Sequence, residues 1–221
     1  TAKPNQAPRQ LITKTIITKM KAQANNIEHR FCGEGLEVRK MDGKKPKVRG
    51  YALLYNSVYD MGWFTEEVER GALDKADMSD VRILFNHDQN QILGRTKSGT
   101  AAVGLDERGM WYEVEVPETE IGRHVLSAIE RGDVDQSSWG FMLRYDDTTN
   151  GDRWEKKNGK EHRILTDVKM VFDASPVTFP ANPETSAAKR SFEMFTTPDE
   201  GEKIKQARSA EIAVLQTEYL F

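Results

Sequence analysis

The sequence predicts an α+β domain built on a mostly antiparallel β-sheet or barrel, with a few helices around it. Short runs rich in β-branched and aromatic residues recur through the middle of the chain, bounded by turn residues such as Asp42-Gly43. One segment, "ETEIGRHVLSAIERG", stands out as a capped amphipathic helix. The length of 221 residues suits one domain with tails, or at most two small ones.

The first thirty residues are basic, with Lys3, Arg9, Lys14, Lys19, Lys21 and Arg30 against Glu28 alone. Pro4 and Pro8 loosen their start, and "LITKTIITKM" has the content of a strand. Residues 1–34 therefore read as a leader that adds an edge strand, or as a basic arm for an acidic partner.

From Gly35 the pattern turns β-like. "LEVRK" and "KVRGYALLYNSVY" flank the hairpin signal of "MDGKKPK". "TEEVERGALDKA" reads as a short helix around Gly71, and "VRILFNHD" as a buried strand ending in a polar tip. "AAVGLDERGMWYEVEVP" alternates and turns at Glu107-Arg108-Gly109. In the helix, Thr119 is the N-cap, Ile121, Val125, Ala128 and Ile129 form the apolar stripe, and Gly132 takes the C′ position. Two further strands, "SSWGFMLRYDD" and "EHRILTDVKMVFDASPVTF", are joined by "TTNGDRWEKKNGK", which reads as a protruding hairpin tip. Pro176, Pro180 and Pro183 end the regular structure. Beyond Thr185, "TTPDEGE" reads as a linker, and a helix after Lys203 places Ile204, Ile212, Leu215 and Tyr219 partly on one side. The division is a leader over 1–34, a core domain over 35–190 and a C-terminal segment over 191–221.

Composition excludes several classes. Lys and Arg number 32 against 35 Asp and Glu, so a net charge of -3 gives no general reason to expect nucleic acid or an anionic membrane as partner. Cys32 is the only cysteine, which precludes an intrachain disulfide and points to a reducing cytosol. No long apolar run suggests a membrane span, and the N-terminus lacks a signal-peptide core. The start at Thr1 and the apolar end "EYLF" read as trimmed ends.

Of the four histidines, His29 lies in the polar leader, His124 beside Arg123 on a helix, and His162 after a charged tip. His87 ends an apolar strand between Asn86 and Asp88. It can serve there as a general base near neutral pH, or simply cap the strand with hydrogen bonds. A serine needs such a base to become a nucleophile. In "GDVDQSSWGF", Ser138 and Gly140 share one strand face, while Ser137 shares the other with the core-packing Trp139 and Phe141. This favours Ser138, with Gly140 leaving room for a substrate backbone. Small residues that accommodate a neighbouring strand give the same pattern. No HExxH, CxxC or close His pair marks a metal site, and no phosphate-binding loop is present, so no metal or cofactor is expected. Cys32 with His29, and an N-terminal Thr1, are the remaining nucleophile candidates.

"RGYALLYNSVY", "FTEEVERGALDKA", "ILFNHDQNQILGRT", "GDVDQSSWGF" and "FDASPVTFPANPET", in this order over about residues 48–190, resemble the prohead maturation proteases of tailed bacteriophages, more narrowly the group of HK97-like capsids. The resemblance implies a serine endopeptidase with the fold of the herpesvirus assembly protease, a small β-barrel flanked by helices. It implies packaging inside the viral procapsid in the host cytoplasm. The substrates would be scaffold, or the scaffold-like domain of the major capsid protein, and the protease itself, with self-association common among relatives by fold.

The family's histidine falls on His87 and its serine on Ser138. Its acidic residue before "SPV" falls on Asp173, here Asp where the family often has Glu, with Asp88 and Asp167 as competitors for that role. No cofactor is needed. Oxyanion donors are expected among backbone amides near Ser138 or Gly140, or from Arg144. The tails are expected to bind scaffold or capsid protein, or to be self-cleaved. A non-catalytic protein of the procapsid interior is the alternative, as is an unrelated hydrolase such as an esterase, against which the missing GxSxG elbow counts.

Overall fold

A computed structural model describes residues 27–146, 149–179 and 186–196. The expected strand in "LITKTIITKM", the ends of the tails and the helix after Lys203 lie outside these residues. Two compact units divide the chain, Thr1–Pro183 and Glu184–Phe221.

Among the described residues of the first unit, thirteen strands fall into three sheets. The five-stranded sheet has the order β1 (Glu28–Cys32), β10 (Gln136–Leu143), β13 (Val168–Val177), β6 (Arg82–Phe85), β7 (Asp88–Arg95). A four-stranded sheet runs β2 (Glu37–Arg39), β3 (Lys47–Leu54), β9 (Gly109–Glu115), β8 (Ala101–Leu105). The other runs β11 (Asp152–Lys157), β12 (Lys160–Leu165), β5 (Phe64–Val68), β4 (Tyr59–Asp60). Pairing is antiparallel except at β12–β5 and at the short β13–β6 contact. The fold is thus mostly β with few helices. The expected barrel is corrected in one respect: among the described residues the ladders divide into three sheets and do not close into a ring.

Helix α1 (Glu120–Arg131) forms as its sequence dictates. The Thr119 side chain accepts from the Gly122 amide, and Gly132 closes the helix at φ 78°. Its Val125 and Ile129 join the core that all three sheets share, with Val48, Leu53, Tyr112, Trp139, Phe141 and Leu165 among its members. The second unit contributes α2 (Ser186–Thr196) among the described residues. No described helix is long and apolar enough to cross a membrane.

Three segments differ from the sequence expectation. The helix foreseen in "TEEVERGALDKA" is instead β5 followed by successive tight turns, Ala72 N to Glu69 O, Asp74 N to Gly71 O and Ala76 N to Leu73 O. Gly71, at φ 92°, breaks any helix there, and the alternation of Phe64, Glu66 and Val68 inward was masked because one inward residue is charged. The tip "TTNGDRWEKKNGK" contains β11, which returns into β12 through Asn158-Gly159, both at positive φ. The long final strand breaks in two at Thr166-Asp167.

The charged inward residue belongs to a buried ion cluster. Arg30 of β1 bonds Glu66 at 2.5 Å and Glu28 at 2.6 Å. Arg163 of β12 bonds Glu28 at 2.6 Å, Glu66 at 3.1 Å and Asp152 at 2.6 Å. All five residues are buried, so the charges depend on this pairing. The cluster ties β1 to the sheet of β5, β11 and β12, and makes Glu28–Cys32 an integral strand although it lies within the segment read as a leader.

Burial works to raise the pKa of Glu28, but Arg163 and then Arg30 outweigh it and hold it at about 2, below the ordinary 4.5. A depressed carboxylate contributes stability above its unfolded pKa and loses it as pH falls through the folded one. Cooperative acid unfolding is accordingly expected between pH 4.5 and about 2. Arg163→Met removes the buried guanidinium that Glu28, Glu66 and Asp152 share. It should cost about 3–5 kcal/mol, read from urea denaturation at neutral pH.

Candidate active site

β6 and β7 are joined by two residues only, Asn86 and His87, at φ 54° and 59°. Phe85 pairs with Asp88 across them, so the connection is a two-residue hairpin turn with both residues left-handed. The polar tip of "VRILFNHD" is therefore this turn, following the buried strand β6. Asparagine tolerates this backbone well and histidine less so, at a cost of about 1–3 kcal/mol that the surroundings must offset. They do so through Asn86, whose amide donates to the Pro176 carbonyl at 3.1 Å. Its Oδ1 accepts from the Thr178 amide at 2.9 Å and the Thr178 hydroxyl at 3.2 Å. The turn is thereby fastened to the end of β13.

Fastened so, the imidazole of His87 lies between a hydroxyl and a carboxylate. Its Nε2 is 2.7 Å from Ser138 Oγ, and its Nδ1 is 2.5 Å from Asp173 Oδ1. The strands set the other two partners. β10 pairs with β13 so that Ser138 faces Ser175 and Gly140 faces Asp173. Ser175 adds a second hydrogen bond to Asp173 Oδ1, at 2.7 Å. Ser138 and Ser175 are fully buried, Asp173 nearly so, and the His87 side chain is 18% exposed.

Such a line can move a proton. With the carboxylate holding a proton on Nδ1, the Nε2 lone pair points at Ser138 Oγ, the tautomer that a general base needs.

The competing residues are engaged elsewhere. Ser137 Oγ is 2.9 Å from the hydroxyl of buried Tyr112, on the core side. The Asp88 carboxylate accepts from Asn90 and Gln91, and Asp167 from Arg144. Cys32 is three residues from His29 on one strand, hence on the opposite face, and burial pushes its thiol pKa up. Thr1 lies outside the described residues. His124 is exposed on α1. His162 is not solvated but fully buried, with Nδ1 2.8 Å from Thr65 Oγ1.

The two residues expected at the substrate have other neighbours in the structure. A Cβ on Gly140 would stand 2.5 Å from Asp173 Oδ2 and 3.0 Å from His29 Nε2. Its missing side chain makes room for these two residues. Arg144 lies beyond the end of β10, roughly 20 Å along the chain from Ser138 at strand rise. Its guanidinium is taken by Asp167 and the Lys75 carbonyl. The amides of Ser138 and Gly140 are likewise committed, because β10 is paired on both edges over this stretch. Gly140→Ala is expected to displace the Asp173 carboxylate and lower kcat/KM about 100-fold without unfolding the chain, as steady-state kinetics with a circular dichroism control would record.

Sequence reading missed three neighbours. Asn86 and Ser175 act through hydrogen bonds that only the tertiary register creates. His29, placed by its sequence in the polar leader, sits on β1 opposite Gly140. Its ring centroid is 4.1 Å from that of His87, and its Nε2 is 3.8 Å from Asp173 Oδ2. Burial and the neighbouring His87 hold its pKa down at about 4, against the pull of Asp173. The close His pair that spacing alone did not reveal is this one, and with Asp173 it brings three ligand-type atoms within 4.8 Å of one another.

Comparison with known proteins gives a family. The model of the caudovirus prohead serine proteases matches residues 34–199. Among solved structures, the capsid assembly protease gp21 of bacteriophage T4 is similar at 13% identity over 68% of this chain and 96% of that one, with a TM-score of 0.44. No curated protein matches.

Proposed function

The chain belongs to the caudovirus prohead serine protease family, and from that premise we propose that it matures a procapsid by hydrolysing peptide bonds through an acyl-enzyme on Ser138. The observation that carries this reading is the unbroken line Ser138–His87–Asp173, with 2.7 and 2.5 Å links. His87 takes the Ser138 proton as Oγ attacks the scissile carbonyl. It then gives that proton to the leaving amine, and water activated by the same imidazole releases the acyl group. Asp173 keeps the imidazole in its working tautomer and balances its charge when protonated. Asn86 and Ser175 are positioning residues, the first holding the turn and the second the carboxylate.

The proposed substrates are the scaffold or the scaffold-like domain of the major capsid protein, and the protease itself, inside the procapsid in the host cytoplasm. The kinship in fold with the herpesvirus assembly protease is part of the same proposal. So is the division into an arm through residue 34, a protease domain over 35–190 and a C-terminal segment from 191, although β1 of the arm pairs with β10 of the protease domain and α2 crosses the second boundary.

The test is co-expression of the chain with its major capsid protein, wild type beside Ser138→Ala, and intact mass of both products. Shortened capsid protein with the wild type alone supports the reading. Equal shortening with both removes Ser138 from the role. Correct particles with no shortening in either would favour a structural part in the procapsid.

A further inference from the structure

We propose that His29, His87 and Asp173 together form a binding site for a transition-metal dication of the Zn²⁺ type, and that its occupation switches the protease off. The inhibitory consequence rests on the role assigned to His87 above, whereas the binding itself does not.

Three independent features converge on this site. The first is the ligand set. His29, His87 and Asp173 each offer one ligand atom within 4.8 Å of the others, with His87 Nδ1 2.5 Å from Asp173 Oδ1 and His29 Nε2 3.8 Å from Asp173 Oδ2. Two imidazoles and one carboxylate leave a fourth, tetrahedral position for water. Such a set suits Zn²⁺ or Co²⁺ and is poor for Mg²⁺ or Ca²⁺, which prefer oxygen ligands. The second is the glycine beneath it. Any side chain at Gly140 would occupy the space into which Asp173 Oδ2 and the His29 ring converge. The third is access. The His29 side chain is 36% exposed on an outer strand, while Asp173 is 9% exposed, so an ion meets His29 first.

The ligand atoms need to move by about an ångström. Metal–nitrogen and metal–oxygen bonds of roughly 2.0–2.2 Å put neighbouring ligands about 3.4 Å apart. His87 Nδ1 and Asp173 Oδ1 must therefore open from 2.5 Å. β1 does not give way, because Glu28 and Arg30 on either side of His29 are anchored in the buried ion cluster.

The chemical consequence follows from the tautomer. Coordination at Nδ1 uses the lone pair there, so the Nδ1 proton passes to solvent and Nε2 takes one up. The imidazole stays neutral. Nε2 now donates a hydrogen bond to Ser138 Oγ and no longer accepts its proton. No bond is cleaved and nothing is oxidised, so chelation restores the working tautomer.

The experiment uses the full chain carrying Ser138→Ala, which cannot process itself. Zn²⁺ is titrated against a zinc-binding dye, and Mg²⁺ is run in parallel. One Zn²⁺ per chain is expected, with no response to Mg²⁺. Adding His29→Phe or His29→Gln should weaken binding by at least about tenfold, the lower end of what is lost on removing even an outer-shell partner. His124→Gln should leave binding unchanged. With ¹⁵N-labelled histidine, the His87 Nδ1 and His29 Nε2 signals should shift on Zn²⁺ addition. This readout needs no second substitution and stands even if a His29 variant folds poorly. Absence of Zn²⁺ binding, or equal binding in the parent and in folded His29 variants, overturns the site. In the wild type, Zn²⁺ should block cleavage and EDTA should restore it. His29-dependent binding in a chain whose wild type never cleaves its capsid protein would sink the protease reading and leave the metal site intact.

Discussion

Ser138→Ala should lower the rate of peptide cleavage by about 10⁴–10⁶-fold, the range in which removing a serine nucleophile from such a line falls. The size follows from what disappears. Without Oγ there is no atom within reach of His87 Nε2 to form the acyl-enzyme, since Ser137 is turned to Tyr112 on the core side. What remains is binding and general polarisation. The stability change should be small, about 1 kcal/mol, because one hydroxyl and one hydrogen bond to a partly exposed ring are lost. Single-turnover cleavage of a capsid-derived peptide, beside a thermal melt, separates the two effects. A variant that is inactive because it is unfolded would fail the second measurement.

Asp173→Asn should cost about 10⁴-fold in kcat at neutral pH, read from steady-state kinetics. Asparagine fits the space, and its amide can still meet Ser175 and His87. It cannot carry the negative charge that balances the imidazolium. When its NH₂ group faces His87, it selects the tautomer whose Nε2 bears the proton and cannot take another. Asp88→Asn and Asp167→Asn bear on the same point, because these residues were the competing acids in sequence. Their carboxylates are bonded to Asn90 and Gln91, and to Arg144, so neither substitution should change kcat by more than a few-fold.

The contrast between what the sequence disclosed and what it hid has a physical pattern. Signals confined to a few neighbouring residues were legible. The Thr119 cap and Gly132 closure announced α1, Asp42-Gly43 announced the β2–β3 hairpin, and alternation in "SSWGF" separated Ser138 from Ser137. Features that depend on a partner far along the chain were not legible. Glu66 is held inward by Arg30 of β1 and Arg163 of β12, and this distant pairing concealed β5 behind a helical pattern. The turn at Asn86-His87 lacks the glycine that advertises such turns, because contacts to Pro176 and Thr178 hold it instead. The neighbours of Gly140, Asp173 and His29, likewise come from other strands. His29 itself has no local signal at all. Only the pairing of β1 with β10 carries a residue of the basic leader to within 4.1 Å of the His87 ring.

The most direct test of the account is active-site labelling of the wild-type chain with a fluorophosphonate, followed by intact mass and peptide mapping. One adduct per chain is expected, on Ser138, absent from His87→Gln because the hydroxyl is then no longer activated. Labelling at Ser137 or at another serine, or an unlabelled Ser138 in a preparation that still cleaves its capsid protein, would contradict it.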